Sequence, residues 1–194
     1  MLKWLAIGLI ILTGELTFGQ LPVDTLRYYS LQEVKNADPD TVLALDLSKE
    51  KLEKLPADLK KYNNIRGLKL TKNKLTELPD FFKDFKELRF LYADKNRFSS
   101  FPSEIFHLKR LEWLDISRNK ISTIPEGIKA LENLVFLDIW DNRIESISPA
   151  LTELKKLQWL DLRGTTFSPD FVEEWTNAFP QATVKFDNPC DCLK

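Results

Sequence analysis

Residues 111–121 read LEWLDISRNKI, and this stretch decides the fold. Its residues follow the pattern apolar-x-x-apolar-x-apolar-x-x-Asn-x-apolar. Leu114 and Ile116 lie two positions apart, so they fall on one face of a strand, whereas Trp113 and Asp115 fall on the other. One such strand cannot bury its apolar face alone. The pattern therefore predicts a unit that stacks on copies of itself.

The same pattern occurs six times in the chain, at a constant spacing of 23 residues. The six copies begin at Val42, Ile65, Leu88, Leu111, Leu134 and Leu157. An apolar-Pro pair follows four of them, ending at Pro56, Pro79, Pro102 and Pro125, and in the fifth copy the proline moves by one residue to Pro149. Since six copies keep one register, we expect a solenoid in which neighbouring strands form a parallel sheet.

These motifs resemble the leucine-rich-repeat family, in its 23-residue class with the Leu-Pro-x-x-Ile/Leu signature. The chain is similar to small secreted bacterial members of that family, and the resemblance covers residues 42–167. It implies an α/β solenoid, a horseshoe arc with a parallel concave sheet, short helical or irregular convex segments and helical caps at both ends. It also implies an internal ladder that bonds the backbone of adjacent turns, made by Asn73, Asn96, Asn119 and Asn142.

The segment before the repeats divides into an export signal and a cap. Residues 1–19 combine Lys3 with an apolar run and small residues before Gln20, which is typical of a signal peptide. An uncleaved membrane anchor or a buried N-terminal segment is the alternative. Residues 20–41 are expected to form a loosely held lead-in and a capping helix, in which Ser30 is the N-cap and Glu33 completes a capping box.

The segment after the repeats, residues 168–194, is expected to cap the other end. Pro169 suits the first turn of a helix that runs to about Ala178, and a short strand could follow from Thr183. Cys190 and Cys192 lie near the C-terminus with one residue between them, which makes a poor zinc site. A role without structural consequence is the first interpretation of these cysteines, and an intermolecular disulfide is the second.

Composition and motifs argue against an enzyme. The 28 basic and 29 acidic residues leave a formal net charge of −1, so the overall charge does not favour nucleic acid as a partner. The one histidine, His107, lies in the convex part of the third repeat, and no Gly-rich phosphate loop occurs. We therefore expect no catalytic residue, no cofactor and no metal ion.

Three columns of outward-facing residues are expected on the concave face, because the side chains of a strand alternate between its two faces. The first column contains Ala44, Gly67, Phe90, Trp113, Phe136 and Trp159. The second contains Asp46, Lys69, Tyr92, Asp115, Asp138 and Asp161. The third contains Ser48, Thr71, Asp94, Ser117, Trp140 and Arg163.

Aromatic side chains dominate the last four repeats of this face, and exposed aromatics flanked by charge suit protein recognition. The predicted anchors for a protein partner are Phe90, Tyr92, Trp113, Phe136, Trp140 and Trp159, and the residues expected to orient it are Asp115, Asp138, Asp161 and Arg163. A plain scaffold role is the alternative, since cross-strand aromatic pairs stabilise a sheet by themselves. The leading hypothesis is a non-catalytic protein-binding module that is secreted, periplasmic or on the cell surface.

Basic residues on either side of the ladder position suggest a second hypothesis. They are Lys49, Lys72, Lys95 and Arg118 before it, and Lys51, Lys74, Arg97, Lys120 and Arg143 after it. Such a strip along one edge of the sheet could bind an anionic glycan or an anionic surface. Glu77, Asp141 and Glu145 interrupt it, however. A structural or assembly role, through the exposed ends or the two cysteines, is a third hypothesis.

Overall fold

Each repeat contributes one three-residue strand to a parallel sheet in the computed structural model of the protein, which describes residues 21–187. The sheet has eight strands in the order β1-β2-β3-β4-β5-β7-β9-β10. Their bounds are β1 Tyr29–Ser30, β2 Ala44–Asp46, β3 Gly67–Lys69, β4 Phe90–Tyr92, β5 Trp113–Asp115, β7 Phe136–Asp138, β9 Trp159–Asp161 and β10 Thr183–Lys185. The predicted signal peptide and the two cysteines lie outside the described residues.

The register of the sheet equals the repeat length. Gly67 pairs with Phe90, Phe90 with Trp113, Trp113 with Phe136, and Phe136 with Trp159. Residues at the same position of successive repeats therefore lie side by side on neighbouring strands, about 4.8 Å apart. The predicted parallel solenoid is confirmed.

The convex side is built mainly from short 3₁₀ helices. Their bounds are Ala57–Lys61, Asp80–Asp84, Ser103–His107, Glu126–Ala130 and Pro149–Glu153. A proline directly precedes the first four and is the first residue of the fifth, because its fixed φ and missing N–H suit the start of a turn. Two short strands, β6 (Thr123–Ile124) and β8 (Ser146–Ile147), pair on this side.

Leucine and isoleucine side chains from every repeat fill the space between the sheet and the convex segments. Leu114, Ile116 and their counterparts in the other repeats are fully buried. Two buried phenylalanines from the convex part of the second repeat join this core: Phe82 packs edge-on against Phe85, with ring centroids 5.3 Å apart. The repeats thus share one continuous apolar core, as stacking of incomplete units requires.

The four ladder asparagines are buried, and each bonds the backbone of two turns. The Asn73 Nδ2 group donates to the Leu47 carbonyl at 2.8 Å and to the Leu70 carbonyl at 2.9 Å, and its Oδ1 atom accepts from the Leu52 N–H at 3.0 Å. Asn96, Asn119 and Asn142 repeat this arrangement. An Asn amide suits this position because it donates and accepts at once.

The N-terminal cap differs from the prediction. A single 3₁₀ turn, Glu33–Asn36, replaces the expected helix from Ser30. The capping-box bonds are present, with the Ser30 N–H 2.7 Å from Glu33 Oε2 and the Glu33 N–H 3.3 Å from Ser30 Oγ. The helix does not begin at Ser30, because Ser30 belongs to β1 and pairs with Asp46 of β2. A second 3₁₀ turn, Pro39–Thr41, leads into the first repeat.

The C-terminal cap contains the predicted helix, α1, over Pro169–Ala178. Ser168 caps it, since its Oγ atom accepts from the Phe171 N–H at 3.3 Å. Trp175 and Phe179 are buried and cover the end of the core. The chain then returns as β10, which pairs with β9 and adds a last strand to the sheet. Within residues 21–187, no helix is long and apolar enough to cross a membrane.

Candidate binding surface on the concave face

The aromatic side chains of the first column stack along the sheet. The ring centroids of Trp113 and Phe136 are 3.6 Å apart with an interplanar angle of 6°, and those of Phe136 and Trp159 are 6.0 Å apart with an angle of 7°. The ring centroid of Tyr92, in the second column, lies 6.3 Å from that of Trp113, with an interplanar angle of 42°. The in-register pairing of β4, β5, β7 and β9 places these rings together.

Two members of the expected aromatic stripe are buried instead of exposed. Phe90 is only 3% exposed and Phe136 only 9%, so neither presents a surface to a partner in this conformation. Phe136 is covered by the rings of its neighbours on both sides, Trp113 and Trp159. The half-buried aromatics of this face are Tyr92, Trp113, Trp140 and Trp159, and they form its accessible apolar part.

Three aspartates of the second column lie side by side on β5, β7 and β9. Each accepts a hydrogen bond from the backbone N–H two residues later, at 2.9–3.1 Å, which shapes the turn that leaves the strand. Burial, together with the charges of Asp115 and Asp161, raises the pKa of Asp138 to about 6, although the Trp140 N–H opposes this. Burial likewise raises the pKa of Asp115. All three carboxylates therefore shape the turns of the scaffold. Those of Asp115 and Asp138 also carry a negative charge that burial disfavours.

Asp161 is 1% exposed and is neutralised within the protein. The Arg163 guanidinium binds it at two points, with Nη2 2.6 Å from Oδ2 and Nε 2.9 Å from Oδ1. The same guanidinium lies 6.0 Å from the ring centroid of Trp140, and that of Arg118 lies 4.9 Å from it. Of the predicted orienting residues, Asp161 is thus inaccessible, whereas Asp115 and Asp138 remain half-buried.

Replacing Asp138 with asparagine is expected to stabilise the protein by about 1 kcal/mol at pH 8, because the amide keeps the bond to the Trp140 N–H and removes the buried charge. A carboxyl whose folded pKa is raised from 3.8 to about 6 stabilises the fold most below pH 4, and this contribution is lost as the pH rises through 6. Urea unfolding at pH 4 and pH 8 measures the difference. Asp46→Asn is the control, since Asp46 makes the same turn bond beside Lys69. An equal gain from both variants would contradict the explanation.

The basic strip lies on unusual backbone. Residues at one position of every repeat have positive φ values, of 53–64° for Lys49, Lys72, Lys95, Arg118 and Asp141 and of 89° for Gly164. Several of its cations already have partners, since Lys95 pairs with Asp94 at 3.2 Å and Lys74 with Glu53 at 3.5 Å. The turn geometry thus accounts for the regular spacing of this row. Nothing in its contacts points to a particular anion.

The main surface cavity formed by residues 66–133 is lined by arginine, glutamate and asparagine side chains. It has a volume of about 450 Å³ and is lined by Arg66, Glu87, Arg89, Arg110, Glu112 and Asn133. Two of its arginines are paired with glutamates of neighbouring repeats, as in the bidentate contact of Arg89 with Glu112 at 2.8–2.9 Å. His107 is exposed on the convex side. Among residues 21–187, no group of three or more potential ligands could hold a metal ion.

The repeat pattern does not reveal one part of this face, the N-terminal segment of residues 21–28. This segment was expected to be loosely held, but its Asp24 carboxylate accepts from the Tyr92 hydroxyl of β4 at 3.0 Å. Its Tyr28 ring lies 3.9 Å from the Lys69 Nζ atom of β3. Gly67, the residue without a side chain in the first column, leaves the space for this contact. In the sequence, this contact is indicated only by Gly67 itself, which lacks a side chain in a column where four of the six residues are aromatic.

Comparison with known proteins agrees with the repeat architecture. A family model described as leucine rich repeat matches residues 94–144. A solved leucine-rich-repeat protein of Leptospira interrogans is 28% identical with a TM-score of 0.65, over 75% of this chain and 36% of that one. The chain has the leucine-rich-repeat fold. No curated protein matches its sequence.

Two internalins of Listeria monocytogenes share the fold of this chain. Internalin C2 is 24% identical with a TM-score of 0.66, over 81% of this chain and 66% of that one. The internalin encoded by inlF is 20% identical with a TM-score of 0.63, over 76% of this chain and 43% of that one. The chain therefore spans between 36% and 66% of the length of these three structures.

Proposed function

We propose that this leucine-rich-repeat chain is an exported, non-catalytic protein-binding module, and that it recognises its partner on the concave face of strands β5, β7 and β9. The observation that carries the proposal is the stacked column of Trp113, Phe136 and Trp159 beside unneutralised Asp115 and Asp138. Rigid, half-buried aromatic rings lose little conformational entropy on binding, which is why such residues dominate interface energetics.

The charge beside the rings favours a partner with a basic residue. The carboxylates of Asp115 and Asp138 are raised in pKa by burial, whereas Arg163 neutralises Asp161. A lysine or arginine brought beside Asp115 and Asp138 would stabilise their charged forms, which burial disfavours. Such a pair would contribute more to affinity than a pair formed by two fully solvated groups. The surface thus suits a segment with an apolar part over the tryptophans and a cation over the aspartates.

Export is the second part of the proposal. It is supported by the composition of residues 1–19, with Lys3, an apolar run and the small residues Thr17 and Gly19 before Gln20. In the leucine-rich-repeat fold, function depends on surface residues, so the fold alone does not name the partner. Proteins of the native host's envelope are consequently the population in which to look for it.

Replacing both Trp113 and Trp159 with alanine is expected to reduce partner capture at least about tenfold, because truncating a central aromatic commonly costs 2 kcal/mol or more of binding free energy. The measurement is a crosslinking pull-down from a host envelope extract, quantified by mass spectrometry. The matched control replaces Phe81 and Phe106 with alanine, because both are half-buried aromatic residues of the convex side. Unchanged capture by a folded Trp113 and Trp159 variant would refute this use of the concave face.

A further inference from the structure

The N-terminal segment lies on the concave face as an extended peptide. Its burial alternates, with Asp24, Leu26 and Tyr28 half-buried and Val23, Thr25 and Arg27 exposed. This alternation is that of an extended chain with one face on a surface. The segment runs from β4, where Asp24 meets Tyr92, to β3, where Tyr28 meets Lys69, and so it crosses the strands instead of joining them.

A groove in the sheet receives this segment. The groove exists because Gly67 interrupts the first column: a Cβ atom at that position would lie 2.8 Å from both Leu26 Cδ1 and Tyr28 Cζ. Its other walls are polar. The Lys69 Nζ atom lies 3.9 Å from the ring centroid of Tyr28 and 5.5 Å from that of Tyr92. The groove therefore contributes the Lys69 ammonium group, which lies over the Tyr28 ring, and the Tyr92 hydroxyl, which donates to the Asp24 carboxylate.

Recognition of the segment depends on a carboxylate and a tyrosine four residues apart. The Asp24 Oδ2 atom accepts from Tyr28 Oη at 2.5 Å within the segment and from Tyr92 Oη at 3.0 Å across the groove. The Asp24 Oδ1 atom accepts from the Leu26 N–H at 3.1 Å within the segment. Of these three bonds, the one from Tyr92 crosses the groove, and the other two hold the Asp24 carboxylate in place within the segment.

Side chains alone hold the segment in place. Among the described residues, no backbone hydrogen bond joins residues 21–28 to another part of the protein, and backbone pairing begins only with β1 at Tyr29. A segment held in this way can be exchanged for another without breaking the sheet, because no ladder bond has to open.

We propose that the concave face over β3 and β4 is a peptide-binding groove for an extended segment with a carboxylate four residues before a tyrosine, and that residues 24–28 fill it in cis. An external segment of the same chemistry competes with the chain's own. This groove adjoins the surface of β5, β7 and β9 proposed above but does not rest on it. Each can fail without the other, since their variants differ.

The probe for the experiment is a fluorescent peptide of residues 21–28, LPVDTLRY, and the receptor is the full chain. A receptor with Asp24→Asn and Tyr28→Ala keeps the groove and loosens its resident segment. Fluorescence polarisation is expected to show at least tenfold tighter binding of the peptide to this receptor than to the unaltered chain, because competition in cis is removed. A peptide with Asp24→Asn is expected to bind at least tenfold more weakly than the native peptide.

Groove variants in the loosened receptor complete the test. Lys69→Met and Tyr92→Phe each remove one recognition group, and each is expected to weaken peptide binding at least fivefold. The matched control is Lys185→Met, because Lys185 lies 5.5 Å from the ring of Trp159 at the far end of the sheet. The proposal is overturned if the loosened receptor binds no tighter than the unaltered chain, or if Tyr92→Phe and Lys69→Met bind the peptide as Lys185→Met does.

Discussion

Replacing Asn119 with alanine is expected to lower the free energy of unfolding by at least about 3 kcal/mol. The Asn119 Oδ1 atom accepts from the Phe98 N–H at 3.1 Å, and its Nδ2 group donates to the Ile116 carbonyl at 2.9 Å and to the Ala93 carbonyl at 3.2 Å. Alanine leaves these buried backbone groups without partners, and each costs about 1–3 kcal/mol. Equilibrium urea denaturation, followed by circular dichroism, measures the change.

The matched control for this substitution is Thr165→Ala. Thr165 occupies the ladder position of the last repeat, but its single bond, to the Asn142 carbonyl, is 3.4 Å long. A loss below about 1 kcal/mol is expected there, because one long bond near solvent contributes little. Similar losses from both substitutions would show that the ladder does not carry the stability assigned to it.

Replacing Gly164 with alanine is expected to destabilise the protein by about 2–4 kcal/mol. Gly164 has a φ of 89°, and a Cβ atom at this position would lie 2.6 Å from the Cα and N atoms of Asp141 in the preceding repeat. Backbone cannot move aside as a side chain can, so the turn must open and lose packing. The bond from the Gly164 N–H to Asp187 Oδ2, at 2.7 Å, is expected to weaken with it.

Gly127→Ala serves as the comparison for Gly164→Ala. A Cβ atom at Gly127 would lie 2.6 Å from Cε2 of the Phe106 ring, a side chain at the surface of the core that can rotate away. Thermal unfolding of the two variants should therefore give a much larger fall in melting temperature for Gly164→Ala. A larger fall for Gly127→Ala would contradict the importance given to the backbone contact.

The repeat register made the fold predictable from the sequence. Six copies at one spacing determine which residues face the core, since an error of one residue would expose Leu114 and Ile116 and bury Asp115. The C-terminal helix was predictable for a local reason, because Ser168 and Pro169 are start signals that act within one turn. The N-terminal helix was predicted wrongly, since pairing of Ser30 with β2 overrides its capping preference.

The candidate surface was only partly predictable. Strand alternation correctly placed the aromatic column on the sheet, but it does not give the burial of Phe90 and Phe136, which depends on how neighbouring side chains pack. Nor does it reveal that residues 24–28 lie on β3 and β4. Contacts between segments without a shared repeat leave no periodic trace, and only Gly67 marked the place where a second layer fits.

Every ladder asparagine described above bonds the backbone of two neighbouring turns, and this determines the order in which the repeats separate on unfolding. Asn119 bonds its own turn to the turn of Phe98, and Asn142 bonds its own turn to the turn of Ile121. Each amide therefore connects a single pair of neighbouring turns. Loss of the bonds between one pair of turns releases the turns on the terminal side and leaves the bonds of the remaining turns intact. Unfolding is therefore expected to begin at the terminal repeats, and the interior repeats are expected to separate last.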